Sequence, residues 1–307
     1  MVLEKNKIRD RANQSAEDVQ SIREKVLEEI SINPDEYHED DIERVRTDDW
    51  FVKKFYVTRN RNVKPATTSL ISSLKWRKSQ KVHELKESDL PDVYHRLGSF
   101  FVYKTDKEGR KVFYGRCKHY RRNADLRPII IQSGIALGHK IETESPEGIV
   151  GIMDFKGLHL TKAFDLEIVR ILINTIVIHY PLLTRVFYVI NLPSILHTFS
   201  SMFMKMLSQE AQKRVKFVTE KELQQYIDCD SIPDFLGGTC KQSYKGDDVV
   251  PEGSPDLIEY AKRNNWTVKQ YQSIYKIAKE LADEEEVKPP PPPELYSAYI
   301  ENKSSER

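Results

Sequence analysis

Cysteine is scarce in this 307-residue chain: three residues, Cys117, Cys229 and Cys240, lie far apart and are odd in number. That argues against a disulfide framework and for reduced thiols in a cytosolic protein. Long apolar runs are missing as well, since no window approaches the ~18 uninterrupted apolar residues of a membrane helix. The N-terminus, Met-Val-Leu-Glu-Lys-Asn-Lys, lacks a signal-peptide core. The chain is expected neither to cross a membrane nor to enter the secretory route by itself. Charge of one sign is not in excess either; 48 basic and 47 acidic residues leave a net +1. There is no global nucleic-acid footprint, so any anion binding must come from local clusters.

Catalytic signatures are equally lacking. There is no Gly-x-Ser-x-Gly elbow, no P-loop and no dinucleotide glycine fingerprint. The eight histidines never form His-x-x-x-His, and no cysteine pair is close enough for zinc. No catalytic residue, metal or cofactor is expected. Gly237-Gly238 reads as a turn. Asp154 ends an apolar run where open sheets often carry functional groups, but capping the Phe155-Lys156-Gly157 turn explains it equally well.

What is present is 39% hydrophobic and 31% charged residues, enough for a core beneath a strongly charged surface. Ser15 with Asp18 resembles a capping box, and Val19, Ile22, Val26 and Ile30 recur at helical spacing. Two short helices with a turn near Thr47-Asp48-Asp49 are predicted over Asp40–Val57, and another helix opens at Lys64-Pro65. After Asp92 the period changes. Ser99–Lys104 and Lys111–Cys117 read as a hairpin around Asp106-Lys107-Glu108-Gly109. Apolar strands Ile149–Asp154, Val186–Ile190 and Val215–Val218 alternate with helices Leu126–Ile141 and Asp165–His179. In the second helix Leu166, Val169, Ile173, Ile176 and Val177 are expected inward. A Thr219-capped helix should run through Ile227, and a last amphipathic helix through Leu281. Alternating apolar strands and helices predict an α/β protein with a partly parallel sheet covered by helices. Pro289–Pro293 reads as an extended polyproline rod, either an SH3, WW or EVH1-type ligand or a stiff spacer.

The stretch Arg185–Gln209 is the most apolar part of this plan. Its strand is closed by Asn191 and Pro193, and Ser194 is placed to cap a helix. Ile195, Leu196, Phe199, Met202, Phe203, Met206 and Leu207 then form one broad helical face. Methionine is concentrated here, and it suits surfaces that accept guests of varied shape. The pattern admits two readings, a core helix or a movable lid over an apolar cavity.

Taken together, several segments resemble the CRAL-TRIO (Sec14-like) lipid-binding family. They are Leu74-Lys75-Trp76-Arg77, Asp106–Val112, Ile152-Met153-Asp154-Phe155-Lys156-Gly157-Leu158, Tyr180-Pro181, Arg185–Pro193 and Ile232–Thr239, in that order. Within the family, Tyr37–Arg44 and Lys75–Lys78 are similar to the N-terminal region of motile-sperm-domain-containing proteins, whose further domain and membrane anchor are not expected here. The resemblance implies an α/β fold: an α-helical N-terminal subdomain plus a mixed, partly parallel sheet flanked by helices, with a mobile gate helix. The domains implied are a flexible N-terminus at 1–14, the helical subdomain at 15–80 and the lipid-binding domain at 92–241. C-terminal helices at 255–286 and a Pro-rich flexible tail at 287–307 complete the chain.

It further implies a hydrophobic lipid ligand, a phospholipid, phosphoinositide or other apolar small molecule, held in an enclosed cavity. Strand alternation then assigns Ile149, Gly151, Met153, Phe187 and Val189 to the lumen, and the gate that the resemblance implies carries Leu196, Phe199, Met202, Phe203 and Met206. Gly151, mid-strand, would admit close approach of another group. Arg59 and Arg214 match the family's headgroup positions, although both also read as solvated charge. Asn60 replaces the neighbouring basic residue, and Leu182 an acidic residue after Tyr180-Pro181. The implied protein is cytoplasmic and transiently membrane-associated, docking through the lid with Lys205, Lys213 or the cluster Arg116, Lys118, Arg121, Arg122 and Arg127. The rival expectation is an interaction module that keeps the fold but fills the cavity with Phe155, Phe187, Phe199 and Phe203.

Overall fold

The computed structural model describes residues 2–158, 165–196, 204–205, 207 and 209–305. By contact density the chain forms two compact units: Met1–Glu84 with Ile173–Leu182, and Leu85–Leu172 with Leu183–Arg307.

The first unit is helical, built from α1 (Val2–Ile32), α2 (Glu39–Thr47), α3 (Asp49–Thr58) and α4 (Val63–Ser79). Ile22, Val26, Phe51, Phe55, Leu70 and Leu74 interlock in its core. Asp48 ends α2 and caps α3, its carboxylate accepting the Phe51 amide at 2.9 Å, so the expected turn falls where the cap chemistry puts it. Helix α1 differs from expectation. It begins at Val2, so Ser15 lies inside the helix and is not its cap. Asp18 is turned to another use, accepting the Tyr56 hydroxyl across the bundle.

Residues 173–182 also group with this unit. Helix α7 (Leu166–Asn174; α5 and α6 are described below) passes into a π-helical turn, Thr175–His179. One extra residue per turn rotates the following side chains off the 3.6-residue stripe. Ile176, expected inward, is 37% exposed, whereas Ile168 is buried. The imidazole of His179 stacks on Trp76 with centroids 3.8 Å apart, and its Nδ1 is 3.3 Å from Ser73 Oγ.

The second unit carries α5 (Asp92–Arg96), β1 (Phe100–Thr105), β2 (Lys111–Arg116), α6 (Arg127–Glu144) and β3 (Ile149–Asp154). After α7 come β4 (Thr184–Ile190), α8 (Gln209–Gln212), β5 (Val215–Val218) and α9 (Glu220–Leu223), the last shorter than expected. The chain closes with α10 (Leu257–Arg263), α11 (Val268–Glu285) and α12 (Pro293–Ser305). Strand order is β1-β2-β3-β4-β5; β1 and β2 are antiparallel and the other pairs parallel. Among the described residues the structure is the mixed, partly parallel sheet with flanking helices that the pattern predicts.

Part of the proline run packs against the fold. Pro290 is buried, and the Pro291 carbonyl accepts the Tyr271 hydroxyl at 2.7 Å. Proline at the first turn of α12 suits a helix start, because its missing N–H would be unsatisfied there anyway. Tyr296 on that helix is 1% exposed and stacks on Tyr271 at 4.7 Å. An aromatic tail pinned this way is part of the core.

The basic cluster around β2 is also redeployed. Arg116 is buried and forms a two-pronged pair with Glu285 at 3.0 and 3.1 Å, while His119 and Lys118 meet the same carboxylate. Arg121 pairs with Glu280 and Glu284, and Arg127 with Asp165 and Glu167. These cations neutralise the acidic end of α11 and the start of α7, so most of the cluster is spent inside the fold. Burial opposes the charge on Glu285, but His119, Lys118 and Arg116 together hold its carboxyl well below the usual range.

Candidate functional site

The sheet has two unlike faces. On one, Tyr114, Ile152, Tyr188 and Ile190 pack under Leu223, Ile227, Ile232 and Leu236, all fully buried. Period-2 alternation sends the other residues to the opposite face. There the strand register aligns two complete rows. One reads Phe100, Gly115, Met153, Val189, Phe217; the other reads Val102, Phe113, Gly151, Phe187, Val215. Every member is apolar or glycine, and apart from the two glycines all are half-buried or, for Phe217, 50% exposed. A sheet face this apolar and this incompletely covered is suited to contact a hydrocarbon.

The expected lumen residues fall on this face. Gly151 stands opposite Phe187, and Met153 opposite Val189. Ile149 shares their parity and is buried at the strand start. The group that approaches Gly151 is a neighbour's ring: a Cβ placed there would meet Phe187 Cδ2 at 2.6 Å. Gly115 is covered in the same way by Met153 and Phe100. Phe100, Val102, Phe113, Gly115 and Phe217 were not assigned from sequence. Strand register, once known, finds them; single-strand periodicity does not.

Of the gate residues, Leu196 lies in a short 3-10 turn, Ser194–Leu196, and is buried. Phe199, Met202, Phe203 and Met206 lie outside the described residues, as does most of the predicted helix.

Arg59 and Arg214 belong to different units. Arg59 follows α3 and lines an open groove of about 470 Å³ with Lys64, Pro65, Thr68, Ser69, Ser72 and Ile178. Its guanidinium donates to Ser69 Oγ at 2.8 Å, and burial lowers its pKa. The turn that sets it is tight: Asn60 and Arg61 are both left-handed, with φ of 54°. Two cations and three hydroxyls around one groove suit an anion. Burial, aided by the charges of Arg77 and Arg59, pushes His179 down to about 4, so its imidazole is neutral at pH 7. Arg214 precedes β5 and is half-buried; its carbonyl accepts the Phe187 amide at 2.8 Å. Leu182 adopts φ of 61° and is buried, a hydrophobic residue in a bend.

Asp154 proves to be a capping residue. Burial raises its pKa, and Oδ1 accepts the Lys156 amide at 3.0 Å and Asn191 Nδ2 at 2.9 Å. No helix among the described residues is long and apolar enough to cross a membrane.

Comparison with known proteins fits this geometry. Residues 95–238 match the CRAL/TRIO domain family. Protein real-time of Drosophila pseudoobscura pseudoobscura is 24% identical over 238 residues, covering 69% of this chain and 35% of that protein. Protein real-time of Drosophila melanogaster gives the same identity and covers 36% of its own length. The chain thus matches about a third of the length of these curated relatives. The crystal structure of Sfh5 is similar with a TM-score of 0.60 at 16% identity, over 85% of this chain and 98% of that one. The sheet order, its flanking helices and these likenesses together give the chain the CRAL-TRIO fold, with the CRAL/TRIO domain match at residues 95–238.

Proposed function

We propose that this chain binds a hydrophobic lipid on the apolar face of its sheet and exchanges or presents it at membranes. The observation that carries this reading is the pair of rows, Phe100 to Phe217 and Val102 to Val215, apolar or glycine throughout and with side chains only partly buried. Lipid binding is also what the CRAL-TRIO resemblance implies.

Transfer energetics say what such a face does. At about 0.8 kcal/mol per buried CH₂, exposing one long acyl chain to water costs on the order of 10 kcal/mol. An apolar cradle makes transfer from the bilayer nearly neutral and lowers that barrier. The gate role of Leu196, Phe199, Met202, Phe203 and Met206, opening at a membrane with Lys205 and Lys213 beside it, completes the reading. Arg59, with Lys64 and the groove hydroxyls, is assigned to an anionic headgroup, and Arg214 to the same class of ligand. The likeness of Tyr37–Arg44 and Lys75–Lys78 to motile-sperm-domain proteins is part of the same proposal. An SH3, WW or EVH1-type partner at Pro289–Pro293 would first have to release the buried Pro290.

One observation favours a second reading. Phe187 over Gly151, and Met153 with Phe100 over Gly115, already occupy space above the sheet, as a filled interaction module would have it. Mass spectrometry of organic extracts from the purified chain separates the two. Lipid should be recovered in near-stoichiometric amount from the wild type and be lost from Val189→Asp, which sets a charge among the apolar rows. An extract without lipid, and no uptake from vesicles, would leave the interaction module.

A further inference from the structure

Three groupings stand out: the Glu285 ion cluster, the edge strand β5 with exposed Phe217, and a histidine–aspartate cluster in the helical unit. The first is satisfied by its own counter-ions, and nothing among the described residues says what would cover the second. The third is a site. We propose that His38, Asp40 and His83 bind a divalent transition metal of the zinc class.

His38 immediately precedes α2, Asp40 lies in its first turn, and His83 follows α4, so the fold alone brings the second histidine in. One donor atom from each residue lies within 4.8 Å of the other two. Asp40 Oδ2 is 3.6 Å from His38 Nδ1 and 3.5 Å from His83 Nδ1. Those separations are too long for hydrogen bonds. They are close to the spacing of about 3.3 Å between two ligands that each sit 2.0–2.1 Å from a tetrahedral ion. The imidazoles are stacked, with centroids 4.1 Å apart and planes 14° apart, so one ring must turn about χ2 to aim both lone pairs at one point. That torsion is broad for histidine. His38 Nδ1 accepts the Asp40 amide at 3.2 Å, a long bond that an ion on the same lone pair would replace.

The surroundings are those of a supported ligand set. His83 Nε2 stands 2.9 Å from Asp41 Oδ2, a charge contact without hydrogen-bond alignment, and Nδ1 is the nitrogen that faces Asp40. Asp41 is itself fully buried and held by Arg77 Nε at 2.9 and 3.0 Å. A carboxylate beside the far nitrogen of a ligating histidine favours the proton there and raises the basicity of the ligating nitrogen. Arg77 takes up the charge of Asp41, so Asp40 provides a net negative charge facing the donors. Two nitrogens and one carboxylate suit zinc, nickel or copper over calcium or magnesium, with the remaining coordination position open to water. Such an ion would tie the start of α2 to the segment after α4.

The test is titration of the full-length protein with zinc chloride, read by calorimetry and by thermal unfolding, with cobalt(II) absorption reporting the donor atoms. One equivalent should bind, raise Tm by a few degrees and give a cobalt spectrum without thiolate bands, unchanged when the cysteines are alkylated. Asp40→Asn, on an exposed side chain, should weaken binding on the order of tenfold or more. His38→Asn should do the same while keeping an acceptor for the α2 cap. Absence of binding, or binding unchanged in both variants, would overturn the assignment. None of these readouts depends on the lipid.

Discussion

Single side chains in this molecule are constrained most tightly where backbones cross. Gly237 takes φ of 74° to end the turn after Asp234–Leu236, and Gly238 lies against the Ile232 carbonyl. A Cβ at Gly238 would meet that oxygen at 1.9 Å, and backbone cannot step aside as a side-chain end can. Gly238→Ala is expected to destabilise the protein by about 3 kcal/mol or more, measured by urea unfolding. The sequence shows a Gly-Gly turn there; the reason for the second glycine is how closely the turn folds back on Ile232. Arg59 is tested at the same scale. Arg59→Ala should reduce capture of anionic relative to neutral lipid from mixed vesicles, with folding unchanged by circular dichroism. Equal capture of both lipids by wild type and variant would remove Arg59 from the headgroup role.

At the scale of elements, helices α11 and α12 bear most on stability. Glu285 ends α11 among Arg116, Lys118, His119 and the Lys245 ammonium. Removing this carboxylate would leave the buried Arg116 without its counter-charge, so Glu285→Ala should cost about 3–5 kcal/mol. Truncation after Pro292 would remove Tyr296, its stack on Tyr271 and its hydroxyl bond to the Trp266 carbonyl at 2.7 Å. A loss of about 2–4 kcal/mol is expected from that burial alone, visible as a lower thermal midpoint. A dispensable tail would leave the midpoint where it was.

For the whole molecule, two titrations among several contribute to the acid limit. His179 is neutral in the folded state down to about 4, whereas an unfolded histidine takes up its proton near 6.5. The unfolded chain therefore binds more protons between those values, and stability falls as pH drops through that window. With allowance for partial exposure the loss is about 1–2 kcal/mol, and His179→Phe should flatten it in pH-dependent denaturation. Glu285 acts lower. Its folded carboxyl is held below the unfolded value, so the stability it supplies is complete above about 4.5 and is lost as pH falls further.

The sequence by itself determined the order of the strands and the helices between them, the strand faces and the partly parallel sheet, because period-2 and period-3.6 apolar patterns are local and each strand or helix carries its own. It placed Gly151, Met153, Phe187 and Val189 on one face for the same reason. It also marked Arg59, through resemblance. Tertiary structure decided what depends on residues distant in the chain. It decided which rings lie over Gly151 and Gly115, where the cations around Arg116 find their carboxylates, and that the proline run is clamped by Tyr271. It brought His83 to His38 and Asp40, which no spacing rule could show. Burial and charge pairing are sums over neighbours from every part of the fold, and periodicity records only the neighbours along one element.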